Sequence, residues 1–215
     1  SLDGLGHHIV HIGRYVFAGQ NFLALTASLI GVTSLLFNAK GNPVGQVIGI
    51  VFCLIYGFIS WQYAYYGEMI TYLGMTLPMS VVTLVIWLRN PFKGNRMCVQ
   101  VGRLRRSDLF WLVFLTIVIT AMFGYVLAVL HTANLVPSIV SISTSTIAVY
   151  LSWRRSPWFA AGYALNDLVL IVLWSLATVQ DPGAVSVLMC FVAFFANDLY
   201  GFRNWRRMLC QQQTA

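Results

Sequence analysis

Residues 107–130 read SDLFWLVFLTIVITAMFGYVLAVL, twenty-four positions with one charge, Asp108. As a helix such a run is about 36 Å long, enough to cross a hydrocarbon core of roughly 30 Å. Just before it, residues 89–106 hold six of the thirteen Lys and Arg of the chain. An apolar span abutting a basic segment is how a membrane helix meets the cytoplasmic surface. Composition extends this reading to the whole chain. Of the 215 residues 59% are hydrophobic and only 9% charged, against about 25% charged in soluble domains. So few charges cannot cover a globule in water. The chain reads as an integral membrane protein, and a soluble nucleic-acid module, a disulfide scaffold and a disordered chain are excluded despite the net charge of +7. The four cysteines, Cys53, Cys98, Cys190 and Cys210, form no paired spacing that would hold zinc or a disulfide framework.

Six further apolar runs flank this one, at about 19–38, 43–65, 67–88, 135–153, 157–179 and 183–204. Breakers and charges separate them: Lys40-Gly41-Asn42-Pro43, Arg89-Asn90-Pro91, Arg154-Arg155-Ser156-Pro157 and Asp181-Pro182-Gly183. Tyr66-Gly67-Glu68 is the weakest break. The first run does not read as a cleavable signal. If seven helices alternate, twelve of the thirteen basic residues fall on one side and only Arg14 on the other. That asymmetry puts the N-terminus outside and the C-terminus in the cytoplasm.

The chain also repeats itself. Asn21 precedes Pro43 by 22 residues, and Asn134 precedes Pro157 by 23. Each third helix then ends alike, in Trp87-Leu88-Arg89 and Trp205-Arg206-Arg207. The expected fold is all-α: a single transmembrane domain, 1–215, of seven helices. Two parallel three-helix repeats, about 19–88 and 135–204, are joined by a linker helix at about 107–130. In transporters built this way the substrate site lies near the midplane between the repeats.

Polar groups at that depth are costly and mark a cavity or a polar network. The sixth run holds Asn166 and Asp167, with Trp174 two turns on and on the same face as Asp167. The seventh offers Phe191, Phe194, Asn197 and Asp198; the second carries Cys53, Tyr56, Ser60 and Tyr63 in a stripe with Trp61 and Gln62 beside it. The third places Tyr72, Met75 and Met79 around Pro78. Tyr56, Ser60, Trp61, Tyr72, Met79, Asn166, Asp167, Trp174, Phe194, Asn197 and Asp198 are the candidate ligand-binding residues. Aromatic faces, amides and carboxylates suit a small flat ligand, and a cation gains about 0.5–2 kcal/mol from each ring face it meets.

Bland roles compete. The hydroxyls of Ser141, Ser143, Thr144, Ser145 and Thr146 are expected to bond helix carbonyls or neighbouring helices. Trp61, Trp87, Trp153 and Trp205 sit near run ends and read as an interfacial belt. His7, His8 and His11 have no acidic or Cys partner nearby and read as a solvated segment rather than a metal site. Gly45-x-x-x-Gly49 allows close helix approach. Lys40 and Lys93 both lie in loops, so no helix offers a retinal Schiff base, and neither is followed by Ser or Thr as a phosphate-binding loop requires. No catalytic motif appears, so the chain reads as a non-enzyme without cofactor or metal, working passively, by ion coupling or with another chain.

Tyr65-Tyr66-Gly67-Glu68-Met69, the segment from Asn197-Asp198-Leu199-Tyr200-Gly201 to Trp205-Arg206-Arg207, and Asp167 through Leu173-Trp174 resemble the PnuC family of bacterial vitamin transporters. The resemblance spans most of the chain. It implies a SWEET-like fold, a homotrimer in the bacterial inner membrane, and facilitated diffusion of nicotinamide riboside, which a cytoplasmic kinase traps. It implies no nucleic-acid partner; the partners are the vitamin and the lipid bilayer. Two positions depart from the family pattern. Ser175-Leu176-Ala177 follows Trp174 where a second tryptophan is expected, and Ser80 stands where Gln is. Thiamine and riboflavin therefore stay open as substrates. A seven-helix sensor that binds a ligand without moving it is the alternative of another class.

Overall fold

Away from water a chain must bond its own backbone groups, so an apolar run becomes a helix. The computed structural model describes residues 22–62, 69–131, 135–180 and 185–214 and is mostly helical. Its helices are α1 (Phe22–Ala39), α2 (Val44–Gln62), α3 (Thr71–Thr76 continuing as Leu77–Arg89), α4 (Arg106–Val129), α5 (Leu135–Trp153), α6 (Trp158–Gln180) and α7 (Val185–Thr214). Among the described residues four stretches are long and apolar enough to cross a membrane: Tyr72–Arg89, Arg106–Val129, Leu135–Trp153 and Trp158–Leu176. On α4, Phe110, Ile117 and Tyr125 are 67%, 63% and 72% exposed. An apolar helix so bare needs lipid rather than water around it. The Tyr66-Gly67-Glu68 break, Tyr63 and the N-terminal histidines lie outside the described residues.

Three local features differ from the sequence reading. The first turns of α3 are a π-helix, Thr71–Thr76, closed by Leu77 N–H donating to the Tyr72 carbonyl. Pro78 has no N–H and its ring crowds the carbonyl four residues back, so the helix widens just before it. The basic loop contains a two-stranded antiparallel hairpin, β1 (Pro91–Phe92) and β2 (Asn95–Val99), turned through Lys93 at φ 47° and Gly94 at φ 80°. The chain is thus an α-helical membrane protein with one small hairpin. And α7 runs to Thr214, past the expected end at 204, because its last turns rest on that hairpin. There Gln212 accepts from Val101 N–H at 2.8 Å and donates to the Val99 carbonyl at 3.1 Å.

Packing is cyclic: α1 lies on α2, α2 on α3, α3 on α5, α5 on α6, α6 on α7, and α7 returns to α1, with α4 resting on α5. The turns after α1 and after α5 are built alike. Gly41 N–H donates to Asn38 O and Asn42 N–H to Phe37 O; Arg155 N–H donates to Ser152 O and Ser156 N–H to Leu151 O. Gly41 and Arg155 both take the left-handed conformation, at φ 68° and 55°. Each carbonyl accepts a backbone N–H from the basic loop, Gly41 from Val99 and Arg155 from Gly102, both at 3.0 Å. Beside them, Asp108 caps its helix by accepting Arg105 N–H at 2.7 Å and pairs with Arg154 at 2.9 Å.

Two tryptophans lock these turns crosswise. Trp205 of α7 donates its indole N–H to the Asn38 carbonyl at 2.9 Å, and Trp87 of α3 donates to the Ser152 carbonyl at 3.1 Å. Their rings tilt together with centroids 5.3 Å apart, and Phe159 packs on both. Trp87 and Trp205 are 1% and 0% exposed, so the belt reading is wrong for them: they sit in the core. Trp153 is half-buried and donates to the Met79 carbonyl at 3.3 Å. Replacing Trp205 by Phe keeps a ring but leaves the Asn38 carbonyl with only its bond from Gly41 N–H. The expected loss is about 0.5–1.5 kcal/mol, read as a lower melting temperature in detergent, with Trp87→Phe behaving alike.

Candidate functional site

Gly45 and Gly49 are where the site begins. A Cβ at Gly49 would come to 3.0 Å from Ser34 Oγ, and one at Gly45 would collide with the Asn38 side chain. Lacking both, α2 brings its polar residue Gln46 against α1. Ser34 Oγ donates to the Gly45 carbonyl at 2.7 Å, Asn38 Nδ2 reaches Ser34 Oγ at 3.5 Å, and Gln46 Nε2 donates to Asn38 Oδ1 at 2.9 Å. These three residues form one wall of a cavity of about 150 Å³ enclosed by α1, α2, α3, α6 and α7. Phe52 and Cys53 of α2, Thr76 and Ser80 of α3, Phe159 and Tyr163 of α6, and Phe194 and Asp198 of α7 complete it.

Asp198 is buried and adjoins the carboxyl of Asp167, which is 5% exposed; one Asp167 oxygen, Oδ2, has no hydrogen-bond partner. Tyr163 lies beside both acids. Among the described residues no Lys, Arg or His lines the cavity. Two adjacent carboxyls thus stand at the cavity with no cationic side chain among its described lining to pair with. A volume near 150 Å³ is below the roughly 300–1,000 Å³ of ordinary ligand pockets, so the helices must part to admit a vitamin-sized molecule.

Of the eleven residues singled out in the sequence, the structure brings Phe194 and Asp198 to the cavity wall, with Asp167 adjoining Asp198. Tyr56 stacks on Phe52 at 5.6 Å and meets Tyr72 at 4.5 Å, one turn from the cavity wall. Asn166 is buried on the α5 side, where its Oδ1 accepts from Ser141 at 3.1 Å and Thr144 at 2.8 Å. Met79 packs on the cluster of Met75, Leu127 and Ile142. Asn197 adjoins the Asp198 carboxyl. Trp174 is half-buried on α6 and is not among the cavity-lining residues. The side chains of Ser60 and Trp61 lie outside the described residues. Sequence reasoning missed Ser34, Asn38, Gln46 and Tyr163. The glycine pair at 45 and 49 was the signal for the first three, since close approach there draws their side chains together.

The hydroxyl run of α5 bonds its own helix, with Ser143 donating to Ile139 O at 2.9 Å and Thr146 to Ile142 O at 2.8 Å. Only Thr144 and Ser141 also reach α6, through Asn166.

Apolar helices ringed around a small, acid-bearing cavity are the construction of a multi-pass membrane transporter rather than an enzyme. A model of the family described as nicotinamide mononucleotide transporter matches residues 21–207. The chain belongs to that family. It is similar to the nicotinamide riboside transporter PnuC of Neisseria mucosa, 22% identical over 199 residues covering 91% of this chain and 76% of the relative. The protein of the same description from Haemophilus influenzae is 23% identical over 205 residues, covering 94% of this chain and 86% of its own. A crystal structure of the vitamin B3 transporter PnuC shares the fold, with a TM-score of 0.75 at 22% identity over 95% of this chain and 90% of that one.

The Asn166–Thr144 bond is open to a double-mutant cycle. Asn166→Leu and Thr144→Val should each lower thermal stability, with a coupling of about 0.6–1.7 kcal/mol, the range for polar pairs between membrane helices. Strict additivity would place Asn166 outside the α5–α6 contact.

Proposed function

We propose that this protein carries nicotinamide riboside across the bacterial inner membrane by facilitated diffusion, through a cavity between two three-helix repeats. The carrying observation is the Asp167–Asp198 pair beside a cavity with no basic residue among those described. A fixed pyridinium charge balances buried carboxyls, and Phe194, Phe52 and Tyr163 offer it ring faces. A phosphate would meet the same acids with nothing to neutralise it. The cargo is therefore the nucleoside rather than the mononucleotide, although the family's description names the latter.

The repeats are α1–α3 and α5–α7 with α4 as linker; the matching turns at Gly41 and Arg155 and the crossed indole bonds support this reading. The seven helices make one domain, with the N-terminus outside and the basic loop, the two turns and the α7 extension in the cytoplasm. Tyr56, Tyr72 and Trp174 then lie towards the outer face, where an incoming ring meets them first, with Ser60 and Trp61 beyond. Asn197, against the Asp198 carboxyl, is a ligand contact once the cavity widens. Asn166 and Met79, already engaged elsewhere, contribute to the walls. Phosphorylation inside the cell keeps the flow inward without ion coupling, and the protein assembles as a homotrimer, as the PnuC resemblance implies.

Calorimetric titration of the purified protein with nicotinamide riboside, its mononucleotide, thiamine and riboflavin tests the reading. The riboside should bind, and the mononucleotide should be weaker by more than about tenfold, or 1.4 kcal/mol. Asp198→Asn should weaken the riboside more than its uncharged dihydro form, since only the charge interaction changes. No heat from any of the four would defeat the proposal. Vesicles enclosing a riboside kinase should accumulate product with no pH gradient; uptake driven by an imposed pH gradient alone would refute facilitated diffusion.

A further inference from the structure

The hydrogen-bond chain on α1 and α2 has a polarity that its chemistry dictates. The Gly45 carbonyl can only accept, so the single Ser34 hydroxyl proton is committed to it at 2.7 Å. Ser34 Oγ can then only receive, and it faces the Asn38 amide nitrogen at 3.5 Å. That turns Asn38 Oδ1 towards Gln46, where it accepts from Nε2 at 2.9 Å. Gln46 thus has its nitrogen engaged and its carbonyl oxygen, Oε1, left over on a residue 9% exposed that lines the cavity. Reversing Gln46 alone would set two carbonyl oxygens face to face, and reversing both amides together would turn Asn38 Oδ1 towards Ser34 Oγ, whose proton is already given to Gly45. The backbone beneath is held as well: the Asn38 carbonyl accepts from Trp205 and the Ala39 carbonyl from Asn204 Nδ2, both at 2.9 Å.

We propose that Gln46 is a ligand-reading residue of the transport cavity, its side-chain oxygen accepting a hydrogen bond from a sugar hydroxyl of the bound nucleoside, with Ser34 and Asn38 as the positioning residues that fix its direction. This rests on the nicotinamide riboside reading and divides the ligand between two regions. The charged ring is held by the acids on α6 and α7, and the ribose by α1 and α2. An acceptor presented by a clamped chain selects hydroxyl donors and disfavours a phosphate or carboxylate oxygen at the same spot.

The test uses the full-length protein in detergent, titrated with nicotinamide riboside and with its analogue lacking all three ribose hydroxyls. Wild type should prefer the riboside. Gln46→Met, similar in size but without the acceptor, should weaken the riboside about 5- to 30-fold while leaving the analogue within about twofold. Ser34→Ala releases Asn38 to turn and should narrow the preference for the riboside with a smaller loss, at an unchanged response to the analogue. Equal losses for both compounds, or none, in Gln46→Met overturn the assignment, and an unchanged preference in Ser34→Ala overturns the positioning role. Should Gln46→Met fail to fold, Gln46→Leu and the Ser34→Ala arm decide by the same ratios. Wild-type protein that binds neither compound overturns the riboside reading and this proposal together; wild-type binding with no Gln46 effect overturns this proposal alone.

Discussion

Helix ends carry carbonyls that no residue of their own helix can satisfy, and away from water each must find a donor. Here two of those carbonyls, one at the end of α1 and one at the end of α5, each take a local backbone donor and an indole from a distant helix: Asn38 accepts from Gly41 N–H and Trp205, and Ser152 from Arg155 N–H and Trp87. Much of the rest follows from this exchange. Each bond fixes the height of one helix against another, α7 against α1 and α3 against α5. The two rings, packed on each other and on Phe159, fill the space where four helices converge. With α7 held at this register, Gly201 lies against Ala39 and Asp198 one turn away faces the cavity rather than lipid.

The same end of the molecule is fastened a second time through the basic loop. Val99 and Gly102 donate to the carbonyls of Gly41 and Arg155, the left-handed residues of the two turns. Gly41 takes this conformation freely. Arg155 takes it at a steric cost of about 1–2 kcal/mol, offset by the bonds its backbone makes to Ser152, Gly102 and, through the next residue, Leu151. The hairpin and the last turns of α7 close over this arrangement, tying the basic loop, both turns and α7 together at one end of the cavity.

The site is chemically one-sided. The Asp198 carboxyl, with Asp167 adjoining it, and side-chain amides and hydroxyls line a cavity that has no basic group among the described residues. On the proposed reading, specificity follows from what would be left unpaired: a ligand without the charge leaves the acids uncompensated, and one bearing phosphate adds to them.

By itself the sequence determined that the chain lives in a membrane, where its described helices run to within a few residues except at the end of α7, and which acids fall within the apolar runs. Those are properties of local composition: a run of apolar residues in lipid has no alternative to helix, and Asn42-Pro43 or Ser156-Pro157 ends one wherever it stands. What only the tertiary structure decided was which groups face each other. Trp87 and Trp205 carry the composition of an interfacial belt, and their burial depends on partners more than sixty residues away in sequence. Asn166 and Asp167 are adjacent in the chain, yet one bonds α5 and the other adjoins Asp198 on α7, because successive residues on a helix point about 100° apart. Gln46 was not singled out in the sequence. Only the approach of α1 over two glycines made it a wall of the cavity, with its amide nitrogen held by Asn38 and Asn38 reaching Ser34.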